Sequence, residues 1–214
     1  MDPWIVAIGA SGGQGLDDLK VLLAELPPLF EAVVLVVLHR PLDRISHLQA
    51  VLARTARIPV VIALQGERFE AGTAYIGDPA DHLTLAARTF GALVDDPTGQ
   101  HRNRTIDLLF HSVARYGGER IIGVVLSGAL DDGSRGLAAI HHAGGVTMVM
   151  TPSPWLWQGM PENAIAYDGR IDLIGDARQI AGAIVEIVRE GPARLRAEPS
   201  AVPSAVPSAV PGEV

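Results

Sequence analysis

A chain of 214 residues, 48% hydrophobic and 19% charged, has the composition of a compact globular protein and is long enough to bury the core of one ordinary domain. Cysteine is absent, which excludes disulfides, thiolate metal sites and a cysteine nucleophile and suits a reducing cytoplasm. A formal net charge of −7 argues against a general nucleic-acid binder, and the lack of a basic leader or a bilayer-length apolar run argues against a secretory signal and membrane insertion.

Apolar runs rich in Val and Ile alternate with segments of helical period. This predicts an α/β fold that is doubly wound, with a mostly parallel sheet and helices on both faces. The first strand is expected over residues 4–8 and the first helix over 16–26, joined by Gly9-Ala10-Ser11-Gly12-Gly13-Gln14-Gly15. A strand over 32–38 ends on His39-Arg40-Pro41 and is followed by a helix over 44–54 and a strand over 59–62. Short strands over 73–76, 82–86 and 92–94, separated by Gly77-Asp78-Pro79 and Gly91, predict a small antiparallel edge insert. A helix over 106–116, a strand over 121–126, a helix over 134–142, a strand over 146–150 and a helix over 177–189 complete the folded part. The domain is expected to cover residues 1–191, leaving 192–214 as a Pro/Ala/Ser/Val-rich disordered tail whose tetrapeptide repeat starts at Pro199-Ser200-Ala201-Val202.

Three strand ends carry residues with chemistry. The glycine-rich loop after the first strand could cradle a phosphate at a helix N-terminus, expose Ser11 as a nucleophile, or simply use Ser11 as a helix cap. The spacing is not G-x-G-x-x-G, and no P-loop lysine follows. His39 stands at the carboxyl end of a very apolar run, where a general base belongs if the two strands are neighbours. The third end, Ser127-Gly128-Ala129-Leu130-Asp131-Asp132-Gly133, offers a carboxylate that could cap a helix, bind a cation or orient a histidine. Strand ends at one edge of a parallel sheet converge, so Ser, His and Asp from three of them make a candidate catalytic triad of Ser11, His39 and Asp132. The neighbours His141 and His142 cannot face one site from a helix, and no metal site is expected. Trp155 and Trp157 form either an aromatic lip or a cover over the core.

Taken together, these motifs resemble the catalytic domain of the CheB-type chemotaxis protein-glutamate methylesterases. The resemblance rests on Gly9-Ala10-Ser11-Gly12-Gly13, on Leu38-His39-Arg40-Pro41 and on Gly128-Ala129-Leu130-Asp131-Asp132-Gly133. Gly72, Tyr75, Pro79 and His82, Ile106-Asp107-Leu108-Leu109-Phe110, Gly144-Gly145 and Gly159-Met160-Pro161 extend it over most of the folded part. It implies a cytoplasmic serine carboxyl-ester hydrolase that removes methyl groups from glutamates of methyl-accepting chemoreceptor cytoplasmic helices, releasing methanol, with related glutamine deamidation in some members. No cofactor is implied, and neither nucleic acid nor the membrane is a partner. Ser11 would be the nucleophile, His39 the base and Asp132 its orienting carboxylate, with Gly12, Gly13, Ala129, His82 and Met160 as oxyanion or substrate-adjacent residues. Residue 4 already falls in the first strand, so the receiver domain that usually precedes this domain is expected to be absent, and activity to be indifferent to phosphodonors. Two other readings stay open: a binding module that keeps the fold without the chemistry, and a nucleotide-binding protein built on the first glycine loop.

Overall fold

The computed structural model describes residues 2–39, 46–78, 81–96, 101, 104–153 and 159–192. In chain order the elements are β1 (Trp4–Ser11), α1 (Gly12–Glu25), β2 (Ala32–His39), α2 (Leu48–Ala53), β3 (Val60–Ile62), β4 (Thr73–Ile76), β5 (Asp81–Ala87), β6 (Phe90–Asp95), α3 (Thr105–Tyr116), β7 (Ile121–Val125), α4 (Ser134–His142), β8 (Val146–Met150), α5 (Met160–Ala166), β9 (Leu173–Gly175) and α6 (Ala177–Glu190). The sheet runs β3-β4-β2-β1-β7-β8-β9, and every pairing in it is parallel. Among the described residues no helix is long and apolar enough to cross a membrane.

Period-two alternation divides each strand between two cores. Val6, Ile8 and Ala10 of β1 join Val34 and Val36 of β2 beneath α1, α2 and α6. Ile5 and Ala7 join Val33 and Leu35 beneath α3, α4, α5 and the β5–β6 hairpin. Helices therefore cover both faces, as the continuous apolar runs of the strands require. The covering stripes follow helical spacing. In α6 the buried positions are Ala177, Ile180, Ala181, Ile184, Ile187 and Val188, and the helix is started by Asp176, whose side chain accepts from the N–H groups of Arg178 and Gln179 at 2.9 Å each.

The antiparallel insert is smaller than the sequence suggested. Residues 73–76 were expected in it, but β4 lies inside the main sheet, parallel to both β2 and β3. Its side chains Ala74, Tyr75 and Ile76 are buried, so a four-residue run that alternates like an exposed hairpin strand is in fact covered on both faces. Only β5 and β6 pair antiparallel, as a separate two-stranded sheet. Two elements had not been anticipated, the short helix α5 and the three-residue edge strand β9. α1 begins at Gly12 rather than at residue 16, because the apolar period starts only at Leu16 while the glycines ahead of it already turn. The helix expected over 44–54 is seen as α2; residues 44 and 45, Pro41, Pro79, Trp155, Trp157 and the repeat tail lie outside the described residues.

β1 sits centrally, with β2 on one side and β7 on the other, and the chain leaves β1 and β7 toward opposite faces through α1 and α4. The carboxyl ends of β1 and β7 thus form the topological switch point, where open α/β sheets bind ligands. Because Ile184 is fully buried in the core beneath α6, Ile184→Ala is expected to destabilise the protein by about 2–5 kcal/mol, read as a lower urea midpoint at unchanged slope.

Candidate active site

Ser11 is the last residue of β1 and the residue from which α1 starts. Its backbone is extended, at φ −145° and ψ 143°, and its side chain makes no capping hydrogen bond to the helix. The reversal falls on the next residue, Gly12, at φ +71°, a conformation that costs a residue with a Cβ. The half-buried hydroxyl of Ser11 is thus presented at the strand end, unspent on the helix it precedes. The first turn of α1, Gly12 and Gly13 included, adds N–H groups that have no intrahelical partner.

Ser11 and His39 are register partners across the parallel β1–β2 ladder. Odd-numbered residues of both strands point to the face occupied by α3, α4 and α5, as Ile5, Ala7, Val33 and Leu35 do, and the same parity carries Ser11 and His39 to that side. Gly9, also odd, lies directly beneath Ile106 of α3. The register thus aims both functional side chains toward the N-terminus of α3.

Asp132 waits there. Its Oδ2 lies 2.7 Å from His39 Nε2 and accepts the Ile106 N–H at 2.9 Å, while Oδ1 accepts the Asp107 N–H at 2.8 Å. The carboxylate is 1% exposed and the imidazole 17%. Three donors on one buried carboxylate fix it in position and compensate its removal from water. Since a carboxylate only accepts, Nε2 carries the proton, which makes Nδ1 the acceptor of the neutral ring.

Asp107 returns the arrangement. Sitting in the first turn of α3, it accepts the N–H groups of Gly133 at 3.0 Å and Gly136 at 2.8 Å through Oδ1, at the start of α4. Arg104 Nη1 lies 3.5 Å from Asp107 Oδ2 and 3.1 Å from Asp131 Oδ2. Burial pushes the Asp107 carboxyl above the usual carboxylate range; the Gly136 N–H opposes the shift and the Asp132 charge adds to it. No role for Asp107 follows from the sequence motif Ile106-Asp107-Leu108-Leu109-Phe110, although a carboxylate next to the buried stripe Ile106, Leu109, Phe110 and Val113 is the signal that could have marked it. Asp18 is a similar case. It is buried in α1, accepts from Gln14 at 3.0 Å, and lies 3.4 Å from the Ser127 N–H.

The β7–α4 turn is tied to the rest of the site by backbone. Ser11 N–H donates to Ser127 O at 3.0 Å, and Met160 N–H donates to Gly128 O at 2.8 Å, forming an antiparallel bridge between Ala129 and Gly159. The bridge bond runs through Gly128 and Met160, so it does not engage the N–H of Ala129. Met160 is fully buried and its sulfur lies against Gly128, as does Ser11. Leu130 is held at φ +70° with its carbonyl oxygen accepting from Asn163 Nδ2 at 2.7 Å, yet its side chain is 59% exposed.

The structure therefore gathers Ser11, His39, Asp132, Gly12, Gly13, Ala129 and Met160 at one sheet edge. His82 has different company. It is buried at the start of β5, where Nε2 lies 3.2 Å from Asp96 Oδ2 and its ring meets that of His101 edge-on. Asp96 also accepts the His101 N–H at 2.7 Å, so one carboxylate holds both histidines.

A family model described as CheB methylesterase matches residues 6–184. The protein-glutamate methylesterase/protein-glutamine glutaminase of Pectobacterium atrosepticum is 34% identical over 192 residues, 88% of this chain and 54% of that protein. The protein of the same name from Salmonella typhimurium is 32% identical over 193 residues, again 88% and 54%. The chain thus spans about half the length of the curated relatives it matches. The crystal structure of the Thermotoga maritima CheB methylesterase catalytic domain superposes with a TM-score of 0.78 at 28% identity, covering 87% of this chain and 100% of that one.

Two outcomes are expected from this geometry. In Gly128→Ala the new Cβ would stand 2.7 Å from Ser11 Cβ and 3.0 Å from Ser11 N. Overpacking of this kind costs about 1–3 kcal/mol and displaces the serine, so turnover should fall in a protein whose circular dichroism is unchanged. In Asp107→Asn the buried charge is gone. A carboxyl raised in the native state stabilises the fold below its unfolded pKa of about 3.9 and loses that contribution as pH rises through the native value. The stability of Asp107→Asn relative to wild type should therefore increase with pH across that window; a pH-independent difference in urea titrations would contradict the shift.

Proposed function

The chain belongs to the CheB methylesterase family, and we propose that it is a serine hydrolase which demethylates glutamate γ-methyl esters on the cytoplasmic helices of methyl-accepting chemoreceptors. The observation that carries this is the 2.7 Å contact between His39 Nε2 and the buried Asp132 carboxylate, on the strand whose register partner is an uncapped serine. A binding module has no need of an imidazole oriented by a buried carboxylate on the strand beside a serine that caps no helix. A phosphate cradle would leave both His39 and Asp132 without a purpose.

In the proposed reaction Ser11 Oγ attacks the ester carbonyl while His39 Nδ1 accepts its proton, and Asp132 stabilises the imidazolium that forms. Negative charge on the carbonyl oxygen is met by N–H groups at the start of α1, from Gly12 and Gly13, and by that of Ala129. Collapse of the tetrahedral intermediate breaks the C–O bond to the methoxy group, which takes the proton from His39 and leaves as methanol. Water, deprotonated by the same Nδ1, then attacks the acyl-serine; the bond to Ser11 Oγ breaks, Oγ takes the proton back from His39, and the glutamate is restored. An amide can follow the same course with ammonia as leaving group, which fits the glutaminase half of the relatives' names. Met160 closes the floor beside Ser11, and His82, held by Asp96, is the further residue proposed to lie beside the substrate. No step calls on a metal or cofactor.

The catalytic domain on this view covers residues 1–191, a boundary supported by the family match over 6–184 and by the end of α6 at Glu190, and it works in the cytoplasm, where the receptor helices lie. The test is methanol release from a methyl-esterified receptor fragment. Ser11→Ala should lower turnover by at least about a thousandfold with no loss of thermal stability, because the hydroxyl caps nothing. Undiminished hydrolysis by the alanine variant would remove Ser11 from the mechanism.

A further inference from the structure

Asp132 is held by α3, and α3 is in turn tied to the turn that carries Asp132. The Ile106 and Asp107 N–H groups bind the Asp132 carboxylate, and Oδ1 of Asp107 binds the Gly133 and Gly136 N–H groups immediately after Asp132. Each carboxylate thus caps the helix that the other belongs to or precedes. The four bonds, all between 2.8 and 3.0 Å, join two helix starts into one clamp. Leu130 at φ +70° marks the turn as backbone that needs such restraint, since a non-glycine residue persists in the left-handed region only where its surroundings over-determine it.

We infer that Asp107 is a positioning residue for catalysis, which sets the orientation of His39 through Asp132 without itself touching substrate. The inference rests on the triad proposed above. Asp107 lies on the far side of Asp132 from the histidine, so its effect has to travel through the clamp. Without the Oδ1 acceptor, the N–H groups of Gly133 and Gly136 lose their partner in a buried place. The turn then relaxes, carrying Asp132 away from Nε2. Misplacement of a catalytic group by about 1 Å is enough to cost roughly a hundredfold in rate. Arg104 complements the arrangement by neutralising Asp107 and Asp131 on the outer side.

The atoms suggest a direct way to separate geometry from charge. Both capping bonds use Oδ1 alone, so asparagine can accept them through its single carbonyl oxygen, whereas alanine cannot. Wild type, Asp107→Ala and Asp107→Asn are compared as full chains on one methyl-esterified receptor peptide, each well below its own melting temperature. The downfield imidazole N–H proton of His39, bonded to Asp132, is followed by NMR in the same samples. In Asp107→Ala, kcat should fall by at least about tenfold with KM within about twofold, and the His39 proton signal should shift or broaden; Asp107→Asn should recover kcat to within about threefold, and the signal with it. If the alanine variant does not fold, Asp107→Ser, whose hydroxyl is one atom shorter than the carboxylate, takes its place. Loss of stability alone, with kcat and the proton signal both preserved, would reduce Asp107 to a helix cap and overturn the inference. An asparagine variant as impaired as alanine would also overturn it, by showing that charge and not the clamp is at work. A wild type that releases no methanol would refute the proposed activity instead, while the His39 signal in Asp107→Ala would still decide whether the clamp orients the histidine.

Discussion

Two helices, α3 and α4, begin side by side at the edge of the sheet, and each needs acceptors for the N–H groups of its first turn. The carboxylates of Asp132 and Asp107 meet that need reciprocally. The positive ends of two helix dipoles would otherwise face each other in a buried space, and two acidic side chains between them turn an unfavourable approach into a bonded one. Everything else at the site depends on this exchange. Only because α3 starts where it does can Asp132 be both buried and within 2.7 Å of His39, and only because the turn after β7 is tied down does Gly128 meet Met160 and Ser11.

The same exchange explains how a site with so much negative charge is tolerated. Asp107, Asp131 and Asp132 lie close together, and burial already works against ionisation of Asp107. The Gly136 N–H and, from the rim, Arg104 oppose that effect. Fixed dipoles suit this task better than mobile charges, since they need no reorganisation when the imidazole becomes positive during turnover.

Much of this could be read from the residues. The strands that bear Ser11, His39 and the 128–133 turn are long, apolar and bounded by glycine or polar residues, so their ends were visible and their convergence followed from the parallel topology. The short pieces were not visible. β4 alternates as a hairpin strand does, and only tertiary cover on both faces distinguishes it from one. β9 has three residues. α5 is brief, yet Gly159-Met160-Pro161-Glu162 carries a legible start signal, with proline in the first turn and Glu162 accepting the Gly159 N–H at 3.0 Å. The role of Asp107 was hidden for another reason: its partners are backbone groups twenty-six and twenty-nine residues away, and no local pattern records them. The hydrogen bond of His82 to Asp96, fourteen residues away, is equally absent from any local pattern.

Ser11 and His39 are neighbours in the hydrogen-bond ladder of the innermost strand, which has β2 on one side and β7 on the other. A one-residue slip would turn either side chain to the opposite face, so the pair shares its cooperativity with the sheet. Active sites built on loops can fray while the scaffold persists. Here the serine and the histidine close the β1–β2 ladder, and the seven pairs beneath them set the face to which each side chain turns. The placement of the serine opposite the histidine is therefore inherited from the sheet, whereas the contact of the histidine with Asp132 depends on the turn after β7 as well.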